Sequence, residues 1–165
     1  MSDKPKKGSA PRVVRKREEV AALSFVVPVA PLAWARPRFR NGRGYTPAEV
    51  DEHRDAIRWK ALEARANWER ANVEQWPRLK DHEYALLVRA FRQTRRGDTD
   101  NFAKQVGDAL DGTLFADDRQ IWRFECQRLD VADEDWSGAP RYEIAIRAFA
   151  VAEFKISTKN KAQNE

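Results

Sequence analysis

The apolar positions change period along the chain, and each period predicts an element. "ALSFVVPVA", residues 22–30, is rich in β-branched residues and predicts a strand, with Pro28 marking an edge position or the strand's end. Gly42 and Gly44 then mark a loop or short hairpin. "YTPAEV" announces a helix: Thr46 suits the N-cap, Pro47 the first helical position, and Glu49 completes a T-x-x-E capping box. That helix is expected to reach about Trp68, with Val50, Ile57, Ala61, Ala64 and Trp68 as its buried stripe. "EYALLVRAF", residues 83–91, alternates, placing Tyr84, Leu86, Val88 and Ala90 on one face of a strand. A second helix covers roughly 101–112, with Phe102, Val106, Ala109 and Leu110 toward the core and Gly112 ending it. "QIWRFECQRL", residues 120–129, predicts a strand with Trp122, Phe124 and Cys126 inward, and "RYEIAIRAF" a last strand with Tyr142, Ile144, Ile146 and Ala148 on one face. Strands paired largely as hairpins with two helices give an α+β, two-layer domain.

Composition sets the outer bounds. A chain of 165 residues, 42% hydrophobic, has the length of one domain with a real core. No apolar run approaches the roughly 20 residues that span a bilayer. The start of the chain lacks the apolar segment of a secretory signal, and the single Cys126 leaves no intramolecular disulfide or thiolate zinc site. A cytoplasmic location is the simplest expectation. Residues 1–20 read as a disordered basic arm, residues 21–152 as the folded domain, and residues 153–165 as a flexible tail.

Charge changes the picture because of where it lies. Residues 1–19 carry seven Lys/Arg against three Asp/Glu, and residues 153–165 three against two. These ends account for the whole formal charge of +5 and leave residues 20–152 neutral. Two arginine clusters nevertheless stand inside that neutral part. One holds Arg36, Arg38, Arg40 and Arg43; the other holds Arg89, Arg92, Arg95 and Arg96 and ends at Asp98. The guanidinium fork suits phosphate oxygens, although either cluster alone also reads as a solvated loop.

The segment from Gly97 to Asp118 gathers six aspartates and a single lysine, Lys104. Asp98 and Asp100 stand just before a helix, where both carboxylates can converge. Asp117 and Asp118 precede the next strand, whose start is expected to return close to the helix or to the sheet edge. Three or four such carboxylates form a hard-oxygen site suited to Mg²⁺ or Mn²⁺. Asn101, Lys104 and Asp108 share a helix face, from which Lys104 can project toward Asp98 and Asp100 and hold a scissile phosphate. Plainer roles exist for each residue: an Asp N-cap, a Lys104–Asp108 surface pair, a turn at 116–119. Asp108 and Asp111 are left to solvent, and His53 and His82 receive no ligand role. An EF-hand starting at Asp98 fails because Phe102 and Ala109 stand at ligand positions. No G-x-S-x-G, P-loop or G-x-G-x-x-G is present.

Taken together, "GDTDNFAKQVGDALDGTLFADDRQI" resembles the signature of the RusA family of Holliday-junction resolvases: D-x-D-N, a lysine four residues after the second Asp, D-A-L-[DN]-G, then D-D-x-Q-[IV]. "ARPRFRNGRGYTP" resembles the family's Arg-rich segment ending in Y-T-P. The likeness covers about residues 23–150. It implies a small mixed sheet packed with two helices, a homodimer, and a Mg²⁺- or Mn²⁺-dependent endonuclease, bacterial or phage-encoded, that nicks four-way DNA junctions symmetrically in recombination and repair. By the same resemblance Asp98, Asp100 and Asp118 correspond to the metal carboxylates, Lys104 to the catalytic lysine, and Asn101 and Asp117 to supporting positions. Arg36, Arg38, Arg40, Arg43, Arg95 and Arg96 would follow DNA backbone phosphates. Gly97 departs from the basic residue some members carry there. A nuclease for flaps or forks, and a non-catalytic binder of branched DNA, are the competing readings.

Overall fold

A computed structural model of the chain describes residues 12–32, 38–40, 43–78, 82–93, 98–130 and 138–156. In chain order the elements are β1 (Arg12–Val27), β2 (Arg38–Arg40), β3 (Arg43–Tyr45), α1 (Ala48–Asn72), β4 (His82–Arg92), α2 (Thr99–Leu110), a 3₁₀ turn (Asp118–Gln120), β5 (Ile121–Asp130) and β6 (Arg141–Ile156). Four strands form one mixed sheet in the order β1-β6-β4-β5, and β2 and β3 form a separate hairpin. β6 runs antiparallel to both β1 and β4, whereas β4 and β5 are parallel. Sequence neighbours β5 and β6 are therefore not paired, contrary to the hairpin pattern expected, and the α+β class stands.

The helices cover one face of the sheet. Tyr84, Leu86, Val88 and Ala90 of β4 and Tyr142, Ile144, Ile146 and Ala148 of β6 are all buried, as their alternation predicts. Val50, Ile57 and Ala61 of α1 and Phe102, Val106, Ala109 and Leu110 of α2 close over them. Each large side chain so buried contributes about 1.5–3 kcal/mol. Ala64 and Trp68, the end of the expected α1 stripe, are only half-buried. Among the described residues no helix is long and apolar enough to cross a membrane.

Several expectations are corrected. β1 opens at Arg12, so residues 12–20 of the expected disordered arm are strand, and β6 runs to Ile156, into the expected tail. Apolar alternation is missing there because this end of the β1/β6 ribbon is solvent-exposed. Cross-strand ion pairs link it instead: Arg15 to Glu153 at 2.9 Å and to Glu83 at 3.2 Å, and Arg17 to Glu83 at 2.5 Å. The capping box of α1 does not form. Pro47 itself is the N-cap, with no side-chain capping bond, and its carbonyl accepts from Val50 at 2.9 Å.

Trp122 and Phe124 are not buried; they are 42% and 37% exposed. A register shift makes Tyr84 face Ile121 and Ala85 face Arg123, leaving Trp122 as the extra residue. Its ring meets Phe149 edge-on at 5.9 Å and lies 4.4 Å beneath the Arg17 guanidinium. Phe124 and Cys126 follow the inner face, but β5 is an edge strand with nothing beyond it to cover Phe124. Cys126 is half-buried, which pushes its thiol pKa up to about 11.

The sequence reading also overlooked His53. It is buried where α1 meets α2 and β6, with its ring edge-on to Tyr142 at 5.5 Å and its Nδ1 3.4 Å from Gln105 Nε2. Burial lowers its pKa, against smaller opposing effects of the Ala30 backbone and Glu49. As pH falls through about 6.5, the unfolded chain therefore takes up the proton first and stability is lost, by at most about 1.4 kcal/mol per pH unit. His53→Leu should flatten the fall in the urea midpoint between pH 7.5 and 5. An unchanged fall would assign it to other groups.

Candidate active site

α2 begins directly after Asp98, which holds the N-cap position in extended conformation. Asp98 makes no side-chain capping bond there, so the plain capping role is not realised. Its backbone carbonyl accepts from the Asn101 amide at 3.1 Å, fixing the first turn. Asp98 and Asp100 are both exposed, and the helix N-terminus favours their negative charge. Asn101 is half-buried.

Lys104 is exposed and follows Asp100 by one helical turn. Its Nζ lies 3.4 Å from Asp108 Oδ1, while the other oxygen of Asp108 accepts from Arg54 at 2.9 Å. Asp108 is thus not a solvated residue, as expected, but a link between α1 and α2 beside Lys104. Asp111 is exposed, as expected.

At the other end of α2 the chain turns back to start β5. Asp117 caps the 3₁₀ turn. Its carboxylate accepts from the Arg119 amide at 2.9 Å and pairs with the Arg119 guanidinium at 2.5 Å. The hydrogen bonds from Arg119 hold its pKa well below the usual carboxylate range. Gln120, a residue the sequence reading quoted without a role, is buried. Its Oε1 accepts from Ala116 and Asp117 at 2.8 and 3.0 Å, and its Nε2 donates to the His82 carbonyl at 3.0 Å. The turn carrying Asp118, which is exposed, is thereby tied to the start of β4.

The expected convergence of the carboxylates does not occur within the chain. Asp98 and Asp100 stand past the end of β4, and Asp118 stands before the start of β5. The 12 residues of α2, about 18 Å of helix, separate them. Among the described residues no three His, Cys, Asp or Glu side chains stand close enough to hold a metal ion.

The arginines divide. Arg36, Arg95 and Arg96 lie outside the described residues, and Arg38, Arg40 and Arg43 are placed by backbone alone, on the β2/β3 hairpin. Arg92 turns out to be a core residue. It and its register partner Asp130 are each 3% exposed, joined by Arg92 Nε and Nη2 donating to Asp130 Oδ1 at 2.9 and 2.6 Å. The guanidinium also lies 4.7 Å from the Phe102 ring centre, so one side chain connects β4, β5 and the first turns of α2. Arg89 lies on the sheet, 3.2 Å from Gln127 Oε1.

Residues 28–147 match the family described as Endodeoxyribonuclease RusA. The chain belongs to the RusA endodeoxyribonuclease family. No curated protein matches it. The match contains α1, β4, α2 and β5 whole, together with Asp98, Asp100, Lys104, Asp117 and Asp118. The site of this RusA chain therefore has two parts, carried at opposite ends of α2, with Arg92 anchoring the first.

Breaking the anchor should be costly. Asp130→Ala strands the Arg92 charge in the interior and should cost about 3–5 kcal/mol in a denaturant titration. Arg92→Met combined with Asp130→Leu removes both charges and should restore stability to near the native value. A double variant as unstable as the single one would refute the pairing.

Proposed function

We propose that this RusA-family chain is a homodimeric, Mg²⁺- or Mn²⁺-dependent endonuclease. It resolves four-way DNA junctions by paired symmetric nicks, in recombination and repair. The observation that carries this reading is the exposed, non-capping pair Asp98 and Asp100 at the start of α2, inside the segment matched to an endodeoxyribonuclease family.

The chemistry of the donors agrees with a hard divalent cation, since the proposed ligands Asp98, Asp100 and Asp118 offer only carboxylate oxygens. Their placement in one chain does not agree, because α2 holds Asp118 away from the other two. What the chain's own residues contribute can still be assigned. Lys104, one turn from Asp100, would hold the scissile phosphate and offset the charge developing on its oxygens. Asn101 would steady the first turn, and Asp117 the loop of Asp118 through its bonds to Arg119. Arg36, Arg38, Arg40, Arg43, Arg95 and Arg96 would follow backbone phosphates without reading base sequence.

Purified protein with Mg²⁺ should nick a labelled four-way junction at paired symmetric positions. Cuts confined to flaps or forks would replace junction resolution with the other nuclease reading. Binding without cleavage under Mg²⁺ or Mn²⁺ would leave a non-catalytic binder. Asp100→Asn should keep junction affinity while its cleavage rate falls about 10²–10³-fold, the usual loss for a group that stabilises transition-state charge.

A further inference from the structure

The two halves of the site lie at opposite ends of one helix, and the geometry points to a second copy of the chain as the source of the missing half. We propose that each active centre is shared, with Asp98, Asp100 and Lys104 of one protomer completed by the partner's Asp118. This rests on the endonuclease reading above and names the partner that site requires.

Three observations on different parts of the molecule meet here. First, Asp98, Asp100 and Asp118 are all exposed and all described, yet no three carboxylates come together within the chain. The separation is not a loop arrangement that a small shift would repair. It is the length of α2, set by parallel strands on either side.

Second, β5 is an open edge. The sheet order leaves one side of Ile121–Asp130 without a neighbouring strand among the described residues. The strand is ten residues long and free of proline. Its Trp122 and Phe124 are exposed apolar side chains. A long edge with apolar side chains is a template for another strand.

Third, symmetry sends the ends of this strand to the right places. A two-fold axis perpendicular to β5 makes the strand meet its own copy antiparallel, as an isologous contact requires. Ile121 of one protomer then lies toward the Asp130 end of the other. Asp118 stands just before Ile121, and Asp130 is the register partner of Arg92, the strand end from which the chain leads to Asp98. The same rotation that pairs the edges therefore carries the partner's Asp118 to the end of the sheet holding Asp98 and Asp100. It does so twice, giving two equivalent centres.

A mixed dimer tests this directly. Asp100→Asn and Asp118→Asn chains are co-expressed with different affinity tags, and two successive tag purifications isolate dimers holding one of each. With shared centres, such a dimer has one centre with both defects and one with neither. It should make single nicks in a four-way junction at about half the wild-type number of cuts, while each pure variant is down about a hundredfold. Without DNA, it should bind about half as much Mn²⁺ as the wild-type dimer. A mixed dimer as inactive as its parents, alongside an active wild type, would place the three carboxylates in one chain and overturn the shared centre alone. An active wild type that sediments as a monomer, or yields no mixed dimer, would do the same. A wild-type chain that neither binds Mn²⁺ nor cuts would overturn the endonuclease reading, and the shared centre with it.

Discussion

Two parallel strands cannot be joined by a tight turn, because the chain must travel back the full length of the first before it can begin the second. β4 and β5 are parallel, and α2 makes that return. Most of what is particular to this molecule follows from that crossover. It sets α2 against the sheet, buries Phe102, Val106, Ala109 and Leu110, and places β5 at an edge. It also fixes the aspartates that precede the helix at one end of the sheet and those that follow it at the other. The packing that stabilises the core thus keeps apart carboxylates that the sequence places only eighteen to twenty positions apart.

Much of this architecture was legible from periodicity. Tyr84, Leu86, Val88 and Ala90 alternate because both the strand and its burial are regular, and Phe102, Val106, Ala109 and Leu110 recur because α2 has a single buried face. The misses occur where tertiary pairing overrides local pattern. Trp122 alternates correctly on paper, but one extra residue opposite β4 turns it to the other face. Residues 12–20 look like a basic arm because their strand is exposed and ion-paired, which leaves no apolar signature. The site was legible as residue types and illegible as geometry. Asp98, Asp100, Lys104 and Asp118 stand out by spacing alone, while the direction of strand pairing, on which their separation depends, is not written in any local period.

Buried polar groups do a different job from the apolar core. Arg92 and Asp130 gain little net stability from being paired in the interior, since desolvation offsets most of their attraction. Their geometry is nevertheless restrictive: the guanidinium must satisfy Asp130 on β5 and lie against Phe102 on α2 from a fixed point on β4. Gln120 acts similarly at the other end, holding two amides of the turn and the carbonyl of His82. Gln105 joins the Val50 carbonyl and His53 where the two helices meet. These contacts specify positions along the crossover more than they strengthen it. Two of them flank the segments that present the exposed carboxylates.

A centre divided by a rigid helix has a consequence for control. Were Asp118 on a mobile loop, a single chain would assemble the carboxylates by local motion, and cutting would not depend on a partner. Here the loop is short, capped by Asp117 and tied down by Gln120, so closing a gap of about one helix length within the chain would require undoing the β4–β5 pairing. Assembly across a two-fold axis avoids that cost, and it ties the appearance of one centre to the appearance of a second, facing the opposite way. A substrate with two strands of like polarity related by near two-fold symmetry matches such a pair of centres, whereas a single nick at an arbitrary duplex position uses only one. The parallel crossover, a feature of folding, would then act as the device that restricts cutting to paired chains.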